Sequence, residues 1–441
     1  MASNAFTRRD ILRVGGTLGI AAPVLAACGG VSTTGGGEGK LNFASTQFVP
    51  IEEADRFRKI LKDAYDGEVA YLPSEAAPLT AQVKSQVAAK KVKINLLGAL
   101  HGDLSAFGPD LLEDLSDVAD ELKDSGWDES FVELGKLGTD KTYYIPWMQA
   151  TYVVAVHKDA LNWLPSGADV NDLSYDDFLA WAVNAKKANR GKPQFGLPAG
   201  PEGLIKRFVQ GHLYPSFTGG QVTTFSSADA TAMWQYVKKL WAATSPSSTR
   251  YDFMQEPLAR GEVKVGWDHV ARLLEAPKEQ PDDWQMVPAP KGPKGRGYMS
   301  ILAGLAIPKG APKQDDTKAL IKALSKPEVQ LKVLAENGFF PVVEAEIGED
   351  LPPAVKLEAG AVTKTQESED ALLALPPIGF GEKSGQVDEV FVNAFSAIVL
   401  KNADIAGTLK AGAKTLQGLI DEAKAPCWAP DPESEGPCQV G

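Results

Sequence analysis

Leu41-Asn42-Phe43-Ala44 opens the stretch that decides the fold: residues 41–97 read as three short apolar strands separated by two helices. After the first strand, Ile51, Ala54, Phe57, Ile60, Leu61 and Ala64 recur at the spacing that places them on one helical face. Residues 68–72 give a second strand, 79–91 a second helix and 94–97 a third strand. Such alternation predicts an α/β chain with a parallel, doubly wound sheet, because a helix must return the chain across one face before the next strand runs the same way.

The pattern continues downstream. Residues 152–156, 263–266 and 304–307 are further short strands, and 387–423 is mostly helical. Ser174 with Asp177, Ser226 with Asp229, and Ser325 with Glu328 have the spacing of capping boxes, the last with Pro327 in its first turn. Ala230, Met233, Trp234, Val237, Leu240 and Trp241 form one apolar stripe, and its two tryptophans are assigned to the core.

Ahead of this body, Thr7-Arg8-Arg9-Asp10-Ile11-Leu12-Arg13 is followed by an apolar, small-residue run to Ala27 and then by Cys28. The run is too short to span a bilayer of about 30 Å. Paired arginines, the apolar run and Leu25-Ala26-Ala27-Cys28 resemble a Tat export signal ending in a lipobox. That resemblance implies cleavage after residue 27, acylation of Cys28 and anchoring to the outer face of the cytoplasmic membrane. An unmodified Cys28 in an ordinary signal is the alternative. Residues 28–39, rich in Gly, Ser and Thr, are a flexible spacer.

The chain has 441 residues, and removing the 27 before Cys28 still leaves more than one core usually holds, so two lobes are expected. A formal net charge of −12 argues against nucleic acid as a partner, since phosphates would go unneutralised. Besides Cys28 the cysteines are Cys427 and Cys438, in a Pro-rich tail. Outside the cytoplasm two such neighbours form a disulfide, which stabilises by about 2–3 kcal/mol for so short a loop. With no histidine near either one and only four in the chain, no metal site is expected.

The order of segments resembles the extracytoplasmic solute-binding proteins of ABC importers, in the carbohydrate branch that includes maltodextrin-binding proteins. Pro146-Trp147-Met148-Gln149-Ala150-Thr151-Tyr152, running on to His157-Lys158-Asp159, is similar to that family's crossing strand. Gly261-Glu262-Val263-Lys264-Val265-Gly266-Trp267 is similar to its ligand loop. Gly304-Leu305-Ala306-Ile307-Pro308-Lys309 resembles the return strand, and Asn337-Gly338-Phe339-Phe340-Pro341 the turn after the following helices. The resemblance implies a two-lobed periplasmic-binding-protein fold, each lobe a mostly parallel sheet flanked by helices, with the ligand cleft at the hinge. It places residues 40–149 and 300–338 in the N-terminal lobe, 150–299 and 339–425 in the C-terminal lobe, and 426–441 in the tail. A monomer that captures a sugar, closes on it and delivers it to the transmembrane subunits of an ABC permease is the implied function. No cofactor is implied.

Sugars present apolar C–H faces and a rim of hydroxyls, so their sites need aromatic faces and convergent polar groups. At strand ends, where the cleft of an open α/β sheet lies, the candidates are Gln47 and Phe48 with Thr46, then His101 and Asp103, then Trp147 and Gln149. Trp267, Asp268, Tyr298 and Phe339 complete the set. Phe48 and Phe339 serve equally well as lobe packing, Trp147 as a hinge brace and His101 as a structural group. Ala150 falls where maltodextrin binders carry a ligand-contacting glutamate, which argues against maltodextrin and leaves the carbohydrate class standing.

Enzyme patterns fail. There is no Gly-x-Ser-x-Gly elbow and no His-Glu-x-x-His. Gly379-Phe380-Gly381-Glu382-Lys383-Ser384 lacks the glycine a phosphate loop needs before its lysine, and is a loop that could line the cleft. A glycoside hydrolase would need two carboxylates across a cleft, and no pair stands out. Asp103 and Asp268 also fit a polyamine or other small solute, the alternative binding class.

Overall fold

Parallel pairing starts where the opening alternation places it. The computed structural model describes residues 39–441 except 50, 128, 346, 347, 349 and 350. The expected signal (1–27), Cys28 and the spacer to residue 38 lie outside the described residues. Among the described residues the strands are β1 (Leu41–Ser45), β2 (Val69–Pro73), β3 (Leu96–Leu100), β4 (Ile145–Ala150), β5 (Tyr152–His157) and β6 (Phe195–Gly196). They continue with β7 (Val265–His269), β8 (Trp284–Val287), β9 (Arg296–Met299), β10 (Ile301–Ala306) and β11 (Ala371–Ala374). Helices Ile51–Ala64 and Ala76–Ala88 return the chain between β1, β2 and β3.

Two larger sheets make the two lobes. The first runs β2-β1-β3-β10-β4 and the second β6-β7-β5-β8, with β11-β9 a separate pair. In the first, β1 pairs in parallel with β2 and β3, whereas β10 is antiparallel to β3 and β4. In the second, only β6–β7 is parallel; β5 is antiparallel to β7 and β8. The mixed pairing differs from the mostly parallel sheets expected, and the crossings explain it. Strands β3 and β4 run toward the hinge while β10 leaves it, and β5 leaves the hinge where β7 arrives, with Tyr152 opposite His269.

The crossings are short. Thr151 alone joins β4 to β5, and Ser300 alone joins β9 to β10. The Thr151 hydroxyl donates to the Met299 carbonyl at 2.8 Å, tying the two together. At a third passage Phe340 exchanges backbone hydrogen bonds with Gln149, at 2.7 and 2.9 Å. These bonds satisfy backbone groups of the crossings that a sheet neighbour does not reach.

Local chemistry sets the helix starts. Ser174 and Asp177 form a reciprocal capping box on Tyr175–Ala188. The other two expected caps differ. Ser227, one residue on, caps Ala228–Ala243 through Ala230 N, while Ser226 is engaged by the Gly441 carbonyl. Ser325 ends the preceding helix, its hydroxyl donating to Ile321 O, and the next helix begins with Pro327 at its first turn.

The tail is tied down along its length. Cys427 and Cys438 are joined through their sulfurs. Asp431 accepts the backbone N–H groups of Gln221 (2.7 Å), Val222 (2.9 Å) and Thr223 (2.8 Å). Trp428 and Cys438 are buried. Among the described residues, no helix is long and apolar enough to cross a membrane.

Candidate functional site

The carboxyl ends of β1 and β3 and the start of β5 bring the polar residues of both lobes together. Asp103 sits in the first turn of helix His101–Leu111, directly after β3. Burial pushes its carboxyl up to about 6, against the opposing pull of Arg207, which belongs to the other lobe. Arg207 makes a bidentate pair with Asp388, at 3.0 and 2.9 Å, and donates to Gln210 Oε1 at 2.9 Å. Gln210 in turn donates to Asp388 at 3.1 Å, and Lys206 stands 3.6 Å from the same carboxylate. The fork geometry of a guanidinium on a carboxylate fixes both side chains. The result is a cluster of acceptors and donors in the second lobe whose positive charge reaches Asp103 in the first.

Beside this cluster lies Tyr152, the first residue of β5, whose hydroxyl burial holds well above its ordinary pKa. Its ring stacks on Trp267 at 4.9 Å and 9°. Phe208 and His212 pack on the same indole at 4.7 and 5.1 Å. Trp267 is thus buried, with its faces covered by the protein's own rings. Among the described residues its Nε1 has no hydrogen-bond partner.

Asp268 is fully buried and both of its oxygens are engaged: it accepts Met254 N–H and His269 N–H, each at 2.7 Å. Burial raises it to about 7 and these amides oppose the rise. It clamps the loop before helix Gln255–Ala259 onto β7, so it positions the wall of the site, and its side chain is buried away from the surface.

Three of the other aromatic candidates, Trp147, Phe48 and Phe339, lie in a chain of rings through the hinge. Trp147 meets Phe48 at 5.9 Å, Phe48 meets Phe339 at 5.2 Å, Phe339 meets His269 at 5.5 Å, and His269 meets Tyr152 at 5.4 Å. Trp147 also packs on Phe43 and Phe57, in the first lobe's core. These three candidates, Trp147, Phe48 and Phe339, are buried. Gln47 is buried as well; its carbonyl accepts the Tyr71 hydroxyl and its amide nitrogen donates to Thr46 Oγ1 at 3.0 Å. His101 shares a 2.8 Å hydrogen bond with the Tyr144 hydroxyl, and burial lowers its pKa to about 4, so it is neutral at pH 7.

Gln149 and Tyr298 come together elsewhere, in a cavity of about 400 Å³ beside the crossings. Phe131, Pro341, Glu344 and Gln366 share its lining, and Gln366 Nε2 donates to Gln149 Oε1 at 3.2 Å. Asp103 is therefore the candidate within electrostatic reach of the charged cluster, while Trp267 stacks on Tyr152 beside that cluster. Sequence reasoning missed Tyr152, Arg207, Gln210 and Asp388. Arg207 follows the loop Gly200-Pro201-Glu202-Gly203, a break leading into a Lys-Arg pair, which is the one available signal. Asp388 lies inside an ordinary amphipathic helix, Ser384–Phe395, and carries none.

Among the described residues no group of histidine, cysteine and carboxylate side chains could hold a metal ion. A family model for bacterial extracellular solute-binding proteins matches residues 53–331, more than half of the chain. No curated protein matches it. Solved structures do. A maltose-bound MalE3 of T. maritima is 19% identical, with TM-score 0.68 over 86% of this chain and 100% of that one. The sugar-binding protein MalE of Xanthomonas citri is 14% identical, with TM-score 0.70 over 87% and 98%. UgpB of Mycobacterium tuberculosis, in complex with glycerophosphocholine, is 16% identical, with TM-score 0.68 over 88% and 100%.

Proposed function

The chain belongs to the bacterial extracellular solute-binding protein family, and from that premise we propose that it captures a carbohydrate outside the cytoplasm and delivers it to an ABC permease. The family binds its substrate and does not transform it. The observation that carries the carbohydrate reading is the charged cluster: Arg207, locked to Asp388 and Gln210 in one lobe, is close enough for its charge to lower the pKa of the Asp103 carboxyl of the other. Carboxylates accept from sugar hydroxyls, and guanidinium and amide groups donate to them, so a polyol with alternating hydroxyls satisfies both lobes at once. Contacts made to both lobes exist only when the lobes are together, so binding favours the closed state. Two of the similar structures hold polyol-bearing ligands, maltose in one and glycerophosphocholine in the other.

The anchor belongs to the same reading. Acylated at Cys28 after export through a Tat-type signal, the monomer is held at the membrane where its permease lies. The tail disulfide is formed in that oxidising compartment.

A thermal-shift panel of mono- and oligosaccharides, glycerophosphodiesters, polyamines and amino acids tests the proposal. A sugar at 100 times its Kd should add about 2.7 kcal/mol of stability. Arg207→Lys, which loses the fork, should weaken that ligand by about 10-fold or more. A polyamine that stabilises where no sugar does would establish the alternative class and overturn the carbohydrate reading.

A further inference from the structure

Residues 375–381 follow β11 and reach the other lobe. A Cβ on Gly102, beside Asp103, would stand 2.7 Å from the Pro377 carbonyl oxygen, and one on Gly381 would stand 3.5 Å from Ala106 Cβ. The loop therefore forms the wall that meets helix His101–Leu111 next to the charged cluster.

Its support comes from the tail. Leu375 N–H donates to Ala429 O at 3.0 Å. The Gln221 amide nitrogen donates to Leu375 O and to Ala429 O, each at 3.0 Å, while its oxygen accepts the Trp428 indole N–H at 3.3 Å. Trp428 sets its ring edge-on to Phe380, at 5.6 Å and 89°. Asp431 pins the Gln221 to Thr223 backbone from the other side. Residues 426–441 contain no helix or strand, so the Cys427–Cys438 bond and these contacts are what hold Trp428 and Ala429 in place.

We propose that the disulfide-closed tail is a positioning element of the ligand cleft: it holds residues 375–381 where they meet Gly102, and opening the Cys427–Cys438 bond lowers ligand affinity. Half-buried Cys427 is the sulfur within reach of a reductant, and Cys438 is buried. An external dithiol would break the S–S bond and leave two thiols, its own two thiols becoming a disulfide. The inference rests on the capture reading above and adds a redox control to it.

The test uses the full chain in three forms: oxidised, reduced with dithiothreitol, and Cys427→Ser/Cys438→Ser. Amide hydrogen exchange across residues 375–381 is read without ligand, and affinity is read with the sugar that stabilises the oxidised protein. Opening the bond should speed exchange at Leu375 by about 10-fold and raise Kd by about 5- to 10-fold, reversibly on reoxidation of the native sequence. Gln221→Met, which keeps the disulfide and removes the bridging amide, should move both readouts the same way. Unchanged exchange in the reduced protein and both variants would overturn the proposal, as would faster exchange with an unchanged Kd. If no sugar binds the oxidised chain, the capture reading fails, and the exchange measurement still decides whether the tail braces the loop.

Discussion

Glu358 is the residue whose environment is most at odds with its chemistry. It is fully buried in helix Pro353–Gln366, neither carboxylate oxygen has a hydrogen-bond partner among the described residues, and burial raises its pKa well above the ordinary value. The folded chain keeps the Glu358 proton while the unfolded chain releases it above about 4.5, so stability falls as pH rises from there toward the folded pKa. Asp268 and Asp103, raised to about 7 and about 6, act in the same direction. His101, His212 and His269, lowered to about 4, 3 and 3, act oppositely, because the unfolded imidazoles take up protons below about 6.5. Melting temperature should therefore fall on both sides of a maximum in mildly acidic solution. Glu358→Met should raise stability by about 1–3 kcal/mol at pH 7.5, and by less at pH 5. A melting series across pH 4–9 checks both, and a gain from the substitution that is equal at all pH values would exclude ionisation as the cause.

Among the elements, helix His101–Leu111 and the loop at residues 375–381 approach so closely that a Cβ on Gly102 would stand 2.7 Å from Pro377 O. Gly102 has an ordinary φ, so alanine there brings no backbone strain, only the contact with Pro377 O. Gly102→Ala should push the two elements apart and weaken ligand binding by about 10-fold while leaving the melting temperature of the unliganded protein within about 2 °C. Calorimetric titration with a parallel melt decides it. Elements of this kind were partly legible. Strands β1, β2, β3 and β5 follow from apolar runs bounded by turn residues, and the helices from their spacing. The antiparallel entries of β10, β5 and β8 were not legible, because direction is set by where the chain crosses between lobes, which no local pattern records. Of the site, Asp103 was readable from its place after β3. Arg207 and Asp388 meet across 181 positions of sequence and could not be paired without the fold.

For the molecule as a whole, Glu53 and Arg272 also link the lobes, paired at 2.8 Å. Glu53 opens helix Ile51–Ala64 of the first lobe and Arg272 follows β7 of the second; both are largely buried. A pair screened from water gains more than an exposed one and exists only while the lobes touch. Glu53→Gln should raise Kd by about 3- to 10-fold, mainly through faster dissociation, and increase the unliganded radius of gyration in small-angle scattering. An unchanged radius with an unchanged Kd would remove the pair from the closing equilibrium. The ring chain through the hinge has a different bearing. Trp147 ends it in one lobe and Trp267 in the other, both indoles lacking a hydrogen-bond partner among the described residues. Trp181, Trp234 and Trp428 are buried away from that chain and give a steady background. Phe48, which packs on Trp147, also meets Phe339 across the hinge, so separation of the lobes changes the surroundings of that indole and the protein carries its own optical gauge: intrinsic emission should follow capture of a solute with no dye attached.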